Sequence, residues 1–214
     1  MLRIAVFVSG GGTNLQALID GIENKTLTGC EIATVISSKA DAFALERARK
    51  HQIPCVHMSK KLFENEECFA EALKAHLQQA SVDLLVTAGY LSLIPENVVT
   101  LYTDKIINVH PALMPAFSGK GFYGLTPHKK VLEYGAKVTG ATVHFADCEY
   151  DHGAVIAQKA IAVLDEDTPE SLQLRVMKEC EQVLLPAVVQ AIAEGRIHKK
   201  GRQVQIIGGL KQEV

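Results

Sequence analysis

A chain of 214 residues with 48% hydrophobic and 21% charged side chains carries a formal net charge of −2. Length and apolar content suffice for one large domain with a sizeable core, and the near-balanced charge offers no electrostatic footprint for nucleic acid or an anionic membrane. The five cysteines are odd in number and form no C-x-x-C pair, which argues against a disulfide framework or a structural zinc site.

Strands and helices alternate along the chain. Residues 3–8 read as a continuous apolar strand, too short for a secretory signal core followed by a cleavage site. A glycine-rich turn leads into an amphipathic helix over 14–22. Residues 32–36 form the second strand, and Asp41 is placed to cap a helix running to His51. A short strand at 55–57, a helix over 66–79 and a buried strand over 84–88 follow. Pro95 suits the first turn of a short helix ending near Leu101, before a strand at 106–109 and a long glycine- and proline-rich loop. A helix over 127–134 precedes two strands, 139–145 and 155–163, paired around a loop that holds Asp151. Thr168-Pro169-Glu170-Ser171 caps a last long helix reaching about Ala193, with Pro186 inside it to kink it. The basic cluster from Arg196 to Arg202 reads as a solvated turn, and 204–207 as an added edge strand. The alternation predicts one α/β domain over 1–214, Rossmann-like, with a mainly parallel twisted sheet and helices on both faces. No apolar stretch approaches the roughly 20 residues that span a bilayer, and a cytoplasmic location is expected.

Two segments carry chemistry. Asn108-Val109-His110-Pro111 closes an apolar strand, because proline has no N–H to donate to a ladder. Side chains alternate along a strand, so Asn108 and His110 share a face, at the carboxyl end where open α/β sheets bind ligands. Asp151, on the distant loop Asp151-His152-Gly153, supplies a carboxylate that could orient the imidazole. An amide, an imidazole and a carboxylate suit acyl transfer without a covalent enzyme intermediate. The second segment, Ser9-Gly10-Gly11-Gly12-Thr13-Asn14, links strand to helix where backbone N–H groups meet a phosphate. It is neither G-x-G-x-x-G nor a P-loop, and the second strand ends in Ser37-Ser38-Lys39 without the acid that grips an NAD ribose. Thr13 and Asn14 suit a small phosphate monoester; a tight turn with a capped helix reads equally well. Of the other histidines, His51, His57, His76 and His198 read as superficial or structural. His128 reads as a surface residue at a helix start, and His144 as a core histidine bonded to backbone. His144 and His152 lack the spacing of a metal site, so no metal is expected.

These segments resemble the folate-dependent formyltransferases, and within them the phosphoribosylglycinamide formyltransferase family of purine biosynthesis. The resemblance lies in Ser9–Gln16, Ala88-Gly89-Tyr90-Leu91, Asn108–Pro115, Thr142-Val143-His144-Phe145 and Asp151, and runs from Arg3 to about Arg202. It implies that 10-formyltetrahydrofolate is the formyl donor and glycinamide ribonucleotide the acceptor. By the same resemblance Gly12, Thr13 and Asn14 would hold the ribonucleotide phosphate, and Glu181 would meet its ribose. Leu91, Ser92, Leu93 and Ile94, with Asn108 and the loop Asp147, Cys148, Glu149 and Tyr150, would form the folate pocket. Asn108, His110 and Asp151 would be catalytic. The chain departs from the family at Asn65-Glu66-Glu67 and at Ser92, where arginines facing the folate tail are often found. The loop Ser118–Gly124 is expected to be mobile over the site. Small molecules are the expected partners, and a homodimer is the one protein assembly this reading admits.

In the expected mechanism the glycyl amine attacks the formyl carbon, and Asn108 with a protonated His110 stabilises the oxyanion. Asp151 would raise the pKa of His110. Two other readings stand beside it: hydrolysis of formyl-folate by water, and a non-catalytic nucleotide or folate binder on the same fold.

Overall fold

The computed structural model describes residues 1–210, which divide into two compact units, one over Met1–Ile107 and one from Asn108 onward.

The first unit is built on parallel strands. Strand β1 (Leu2–Val8) carries five fully buried residues in succession, the near-continuous apolar run of a strand covered on both faces. It pairs in parallel with β2 (Cys30–Ser37) on one side and with β4 (Leu84–Thr87) on the other. Outside β2 lies β3 (Cys55–His57), and β5 (Ile106–His110) follows β4, so the order is β3-β2-β1-β4-β5. Between the strands run α1 (Thr13–Glu23), α2 (Phe43–Lys50), α3 (Glu66–Gln79) and α4 (Glu96–Leu101). Helix α3 begins where the Asn65 side chain accepts the Cys68 N–H at 2.9 Å. Helix α2 begins differently from expectation: its N-cap is Ala42, with no side-chain cap, and Asp41 lies one residue outside. Pro95 is likewise the N-cap of α4 rather than a residue of its first turn.

In the second unit β5 is followed in the sheet by β6 (Val138–Phe145) and β7 (Val155–Ala162). The last two pair antiparallel, from Val138↔Ala162 to His144↔Val155, with a register shift between Val143 and His144. Helix α5 (Thr126–Tyr134) precedes β6. Helix α6 (Pro169–Val176) opens with a reciprocal cap, in which Thr168 Oγ1 accepts the Ser171 N–H at 3.2 Å and Ser171 Oγ accepts the Thr168 N–H at 2.9 Å. Val131, Ala141, Leu172, Val176 and Cys180 form its buried cluster.

Three expectations are corrected here. The last long helix is not one continuous α-helix. It passes through a wider π-turn over Met177–Glu181 before continuing as α7 (Gln182–Ala193), which contains the proline. The basic stretch is a solvated turn only at Gly201-Arg202, since Ile197–Lys200 is a strand, β8. Its partner β9 (Gln203–Ile206) forms a separate two-stranded sheet with it and does not extend the edge of the larger one. Among the described residues no helix is long and apolar enough to cross a membrane.

Candidate active site

The geometry centres on the Asp151 carboxylate, which is about nine-tenths buried. Its Oδ2 lies 3.3 Å from His110 Nδ1 and accepts the Gly119 N–H at 2.9 Å. Its Oδ1 accepts from Asn108 Nδ2 at 3.3 Å and lies 3.6 Å from His144 Nε2. Asn108 and His110 thus present their side chains to one carboxylate, as alternation along β5 requires. Asp151 itself adopts φ 50°, a left-handed conformation that a short polar side chain tolerates better than most.

Two neighbours force that loop into place. A Cβ on Gly153 would sit 1.7 Å from the Phe145 carbonyl oxygen, so only glycine lets the chain return so close to β6. From the far side, Arg202 Nη2 donates to the His152 carbonyl at 2.7 Å, which ties the β8–β9 hairpin to the same loop. The segment after His110 is held by β6 and β7. Thr142 Oγ1 donates to the Ala112 carbonyl at 2.6 Å and accepts the Met114 N–H at 3.0 Å, while Gln158 Nε2 donates to the Met114 carbonyl at 2.9 Å.

His144 is the member that pattern reading missed. Its Nδ1 is bonded to the Phe145 carbonyl at 2.8 Å, as expected of a core histidine. Its Nε2, however, lies 3.1 Å from Asn108 Nδ2 and faces the carboxylate. The register shift in β6 falls at this residue, and such irregularities re-aim side chains beside functional sites. His128 also departs from expectation: it is fully buried, and among the described residues neither ring nitrogen has a hydrogen-bond partner. Burial, then the charge of His110, pushes its pKa down to about 4.

The loop after Pro115 is latched onto the catalytic groups. His110 Nε2 donates to the Phe117 carbonyl at 2.9 Å, and Gly119 donates to Asp151. Phe117 takes φ 52°, a conformation that costs a bulky residue about 1–3 kcal/mol. Both ring nitrogens of His110 therefore face oxygen acceptors, and the Asp151 charge pushes its pKa up. Burial is the larger influence, however, and holds the ring below its ordinary value. The upward pull expected of Asp151 is present but is outweighed by the burial of a side chain that is only 3% exposed. For Asp151 burial works toward a higher pKa, but the His144 ring, the His110 charge and the Gly119 N–H together bring it below the usual carboxylate value.

In the first unit Gly12 is the N-cap of α1 with φ 70°, Thr13 begins the helix, and Asn14 is buried. Leu91 and Leu93 are large apolar side chains left roughly half exposed, Leu91 N–H is bonded to Ser9 Oγ at 2.9 Å, and Ser92 bonds to Tyr90. In the second unit Asp147 accepts the Glu149 N–H at 2.9 Å, Cys148 is exposed, and Tyr150 is 41% exposed. Glu181 closes the π-turn as a buried acid.

Residues 2–189 match the formyl transferase family. A chloroplastic phosphoribosylglycinamide formyltransferase of Arabidopsis thaliana is 41% identical over 206 residues, covering 96% of this chain and 70% of that protein. The phosphoribosylglycinamide formyltransferase of Haemophilus influenzae is 36% identical, over 97% of this chain and 95% of that one. The crystal structure of glycinamide ribonucleotide transformylase 1 from Symbiobacterium toebii superposes with a TM-score of 0.89 at 41% identity, covering 96% of this chain and 94% of that chain.

Proposed function

The chain belongs to the formyl transferase family, and on that premise we propose that it transfers the formyl group of 10-formyltetrahydrofolate to the glycyl amine of glycinamide ribonucleotide in purine biosynthesis. The single observation that carries the mechanism is the buried Asp151 carboxylate, shared by His110, Asn108 and the Gly119 N–H. Burial pushes the His110 pKa down and so favours the neutral ring, the form suited to take a proton rather than to begin as a cation. Once the Phe117 carbonyl is withdrawn, the ring proton sits on Nδ1 toward Asp151 and Nε2 can accept. As the amine nitrogen bonds to the formyl carbon, His110 removes its proton, and the imidazolium so formed is paired with Asp151. Asn108 Nδ2 and the imidazolium donate to the oxyanion, an effect worth about 2.7–4 kcal/mol per donor in comparable sites. His110 then returns the proton to the departing folate nitrogen as its bond to carbon breaks.

Gly12, Thr13 and Asn14 hold the phosphate, and Glu181 meets the ribose. In the first unit Leu91, Ser92, Leu93 and Ile94 serve the folate, and in the second Asn108, Asp147, Cys148, Glu149 and Tyr150 do. The exposed leucines suit a flat aromatic ligand. Residues 1–214 act as one formyltransferase domain in the cytoplasm, with small molecules and a second copy of the chain as partners. The deciding experiment follows the absorbance of the folate product with and without glycinamide ribonucleotide: turnover must require the ribonucleotide, and formate release without it would make the chain a hydrolase.

The protonation sequence sets a pH profile. Burial pushes the folded pKa of His110 below the ordinary 6.5, so kcat/KM should rise with pH through a midpoint below that value. Asp151→Asn removes the one nearby charge that pushes the pKa up, so the acid limb of the residual activity should move to still lower pH. NMR titration of the His110 ring in both proteins measures this directly, and a wild-type midpoint above 6.5 would reinstate the imidazolium as the resting state.

The phosphate turn has a fold-silent test. Gly10 and Gly11 have no positive φ, and a Cβ on either would meet nothing within 4 Å, so the fold does not demand glycine there. Gly11→Ala should leave the melting temperature unchanged yet raise the KM for ribonucleotide severalfold, because its methyl group occupies the space a phosphate needs. An unchanged KM would move the phosphate elsewhere.

A further inference from the structure

Resting on the reading of the glycine turn as a phosphate cradle, we propose that Arg47 is a positioning residue that fixes the turn and places a full positive charge behind it. Every group so far assigned to the phosphate is an amide or a hydroxyl, whereas a phosphate monoester carries close to two negative charges at neutral pH. The N-terminus of α1 contributes only about half an elementary charge.

The missing charge stands on α2. Arg47 Nε donates to the Gly11 carbonyl at 2.8 Å, and Nη1 donates to Gln16 Oε1 at 2.9 Å, on the first turns of α1. The guanidinium carbon lies 5.0 Å from the centroid of the Phe43 ring, which presses one side of the group against an aromatic face. One residue earlier in the turn, the Gly10 carbonyl accepts the Ala44 N–H at 3.1 Å. The start of α2 thus draws two successive carbonyls of the turn toward itself. The conformation is locked at Gly12 as well: φ is 70°, and a Cβ there would lie 2.6 Å from Ala44 Cβ.

Arg47 is also unneutralised. Among the described residues no carboxylate pairs with it, although the other arginines of this unit, Arg3 and Arg49, each bond to a glutamate. Its acceptors are one carbonyl and one amide oxygen, both neutral. Gln16 is in turn held by Asp20, to which its Nε2 donates at 2.8 Å, so the acceptor that orients the guanidinium is itself oriented. A half-buried arginine with a fixed fork, neutral partners and two fold-optional glycines beside it suits a dianion bound at the turn.

The test compares glycinamide ribonucleotide with its dephosphorylated riboside for the wild type, Arg47→Gln and Arg47→Lys. The wild type should favour the ribonucleotide in kcat/KM. Arg47→Gln should shrink that preference by roughly ten- to a hundredfold, the range for a hydrogen bond to a charged group. The loss should fall on the KM for ribonucleotide and not on the KM for the formyl donor. Arg47→Lys should recover part of the preference, since it keeps the charge and loses the fork. A merely structural role would lower the melting temperature and raise both KM values together without changing the ratio between the two substrates. An Arg47→Gln protein with the wild-type ratio overturns the inference and leaves the phosphate cradle standing. A wild type indifferent to the phosphate overturns the cradle itself.

Discussion

His110→Ala and Asp151→Asn are each expected to lower kcat by about 10²-fold or more, with smaller changes in either KM. In the histidine variant the proton acceptor is gone. In the aspartate variant the defect is electrostatic and geometric together. An asparagine amide can accept through one oxygen only, whereas the carboxylate uses Oδ2 toward His110 and Gly119 and Oδ1 toward Asn108. Its NH₂ group would face one set of these donors, so either the imidazole and the Gly119 N–H together or Asn108 loses its acceptor. Because the two residues act as a unit, the double variant should fall far short of the product of the single losses. Steady-state kinetics on the three proteins, with circular dichroism to show that each is folded, decides the matter. Near-wild-type turnover in either single variant removes the mechanism, and a strictly multiplicative double variant removes the coupling.

Gly153→Ala should be nearly as damaging, and for a steric reason. The added methyl would lie 1.7 Å from the Phe145 carbonyl oxygen, a backbone atom that cannot rotate aside. The Phe145 N–H is meanwhile bonded to the Ala154 carbonyl at 2.9 Å, so the two chains cannot separate without losing a ladder bond. Overpacking of this kind costs about 1–3 kcal/mol or more, and here the yielding segment carries Asp151. Gly140→Ala is the matched control. Its methyl would meet the Lys159 carbonyl at 1.9 Å, the same kind of clash in the same β6–β7 pair. Both variants should melt earlier, but only Gly153→Ala should lose kcat measured per folded molecule. Equal kcat in the two would mean that the Asp151 loop is not held by this approach.

Much of this was legible in the residues, and for identifiable reasons. Helix α3 was read with its observed bounds because helical periodicity and a polar start coincide there. Asn108 and His110 were readable as a pair because strand alternation is a strict geometric rule, and Pro111 marks where the strand must end. The basic stretch 196–202 was misread because charge suggests solvent, yet a two-stranded hairpin can bear charges on nearly every residue of an exposed strand. His144 could not be found by pattern: it follows the same alternation as any core residue, and only the register shift beside it turns its Nε2 toward Asn108. Nor could the His110 pKa be read from the presence of Asp151. The sign depends on burial against attraction, and burial is a property of the folded chain.

The π-turn bears on which sequence lengths this fold can accept. A regular α-helix advances about 100° per residue, and a π-turn takes in one residue more than the turn it replaces. Deleting any single residue from 177–181 would therefore let α6 and α7 fuse into one regular α-helix of unbroken phase. Helices usually welcome such regularity. Because the wide turn absorbs its extra residue locally, both helices would keep their present faces, Leu172 and Val176 would stay in the buried cluster, and only the side chains of the turn itself would be re-aimed. A missing residue at this point leaves the flanking helices in place, so what the extra residue of the turn fixes is the local direction of the side chains it carries, the buried acid Glu181 among them.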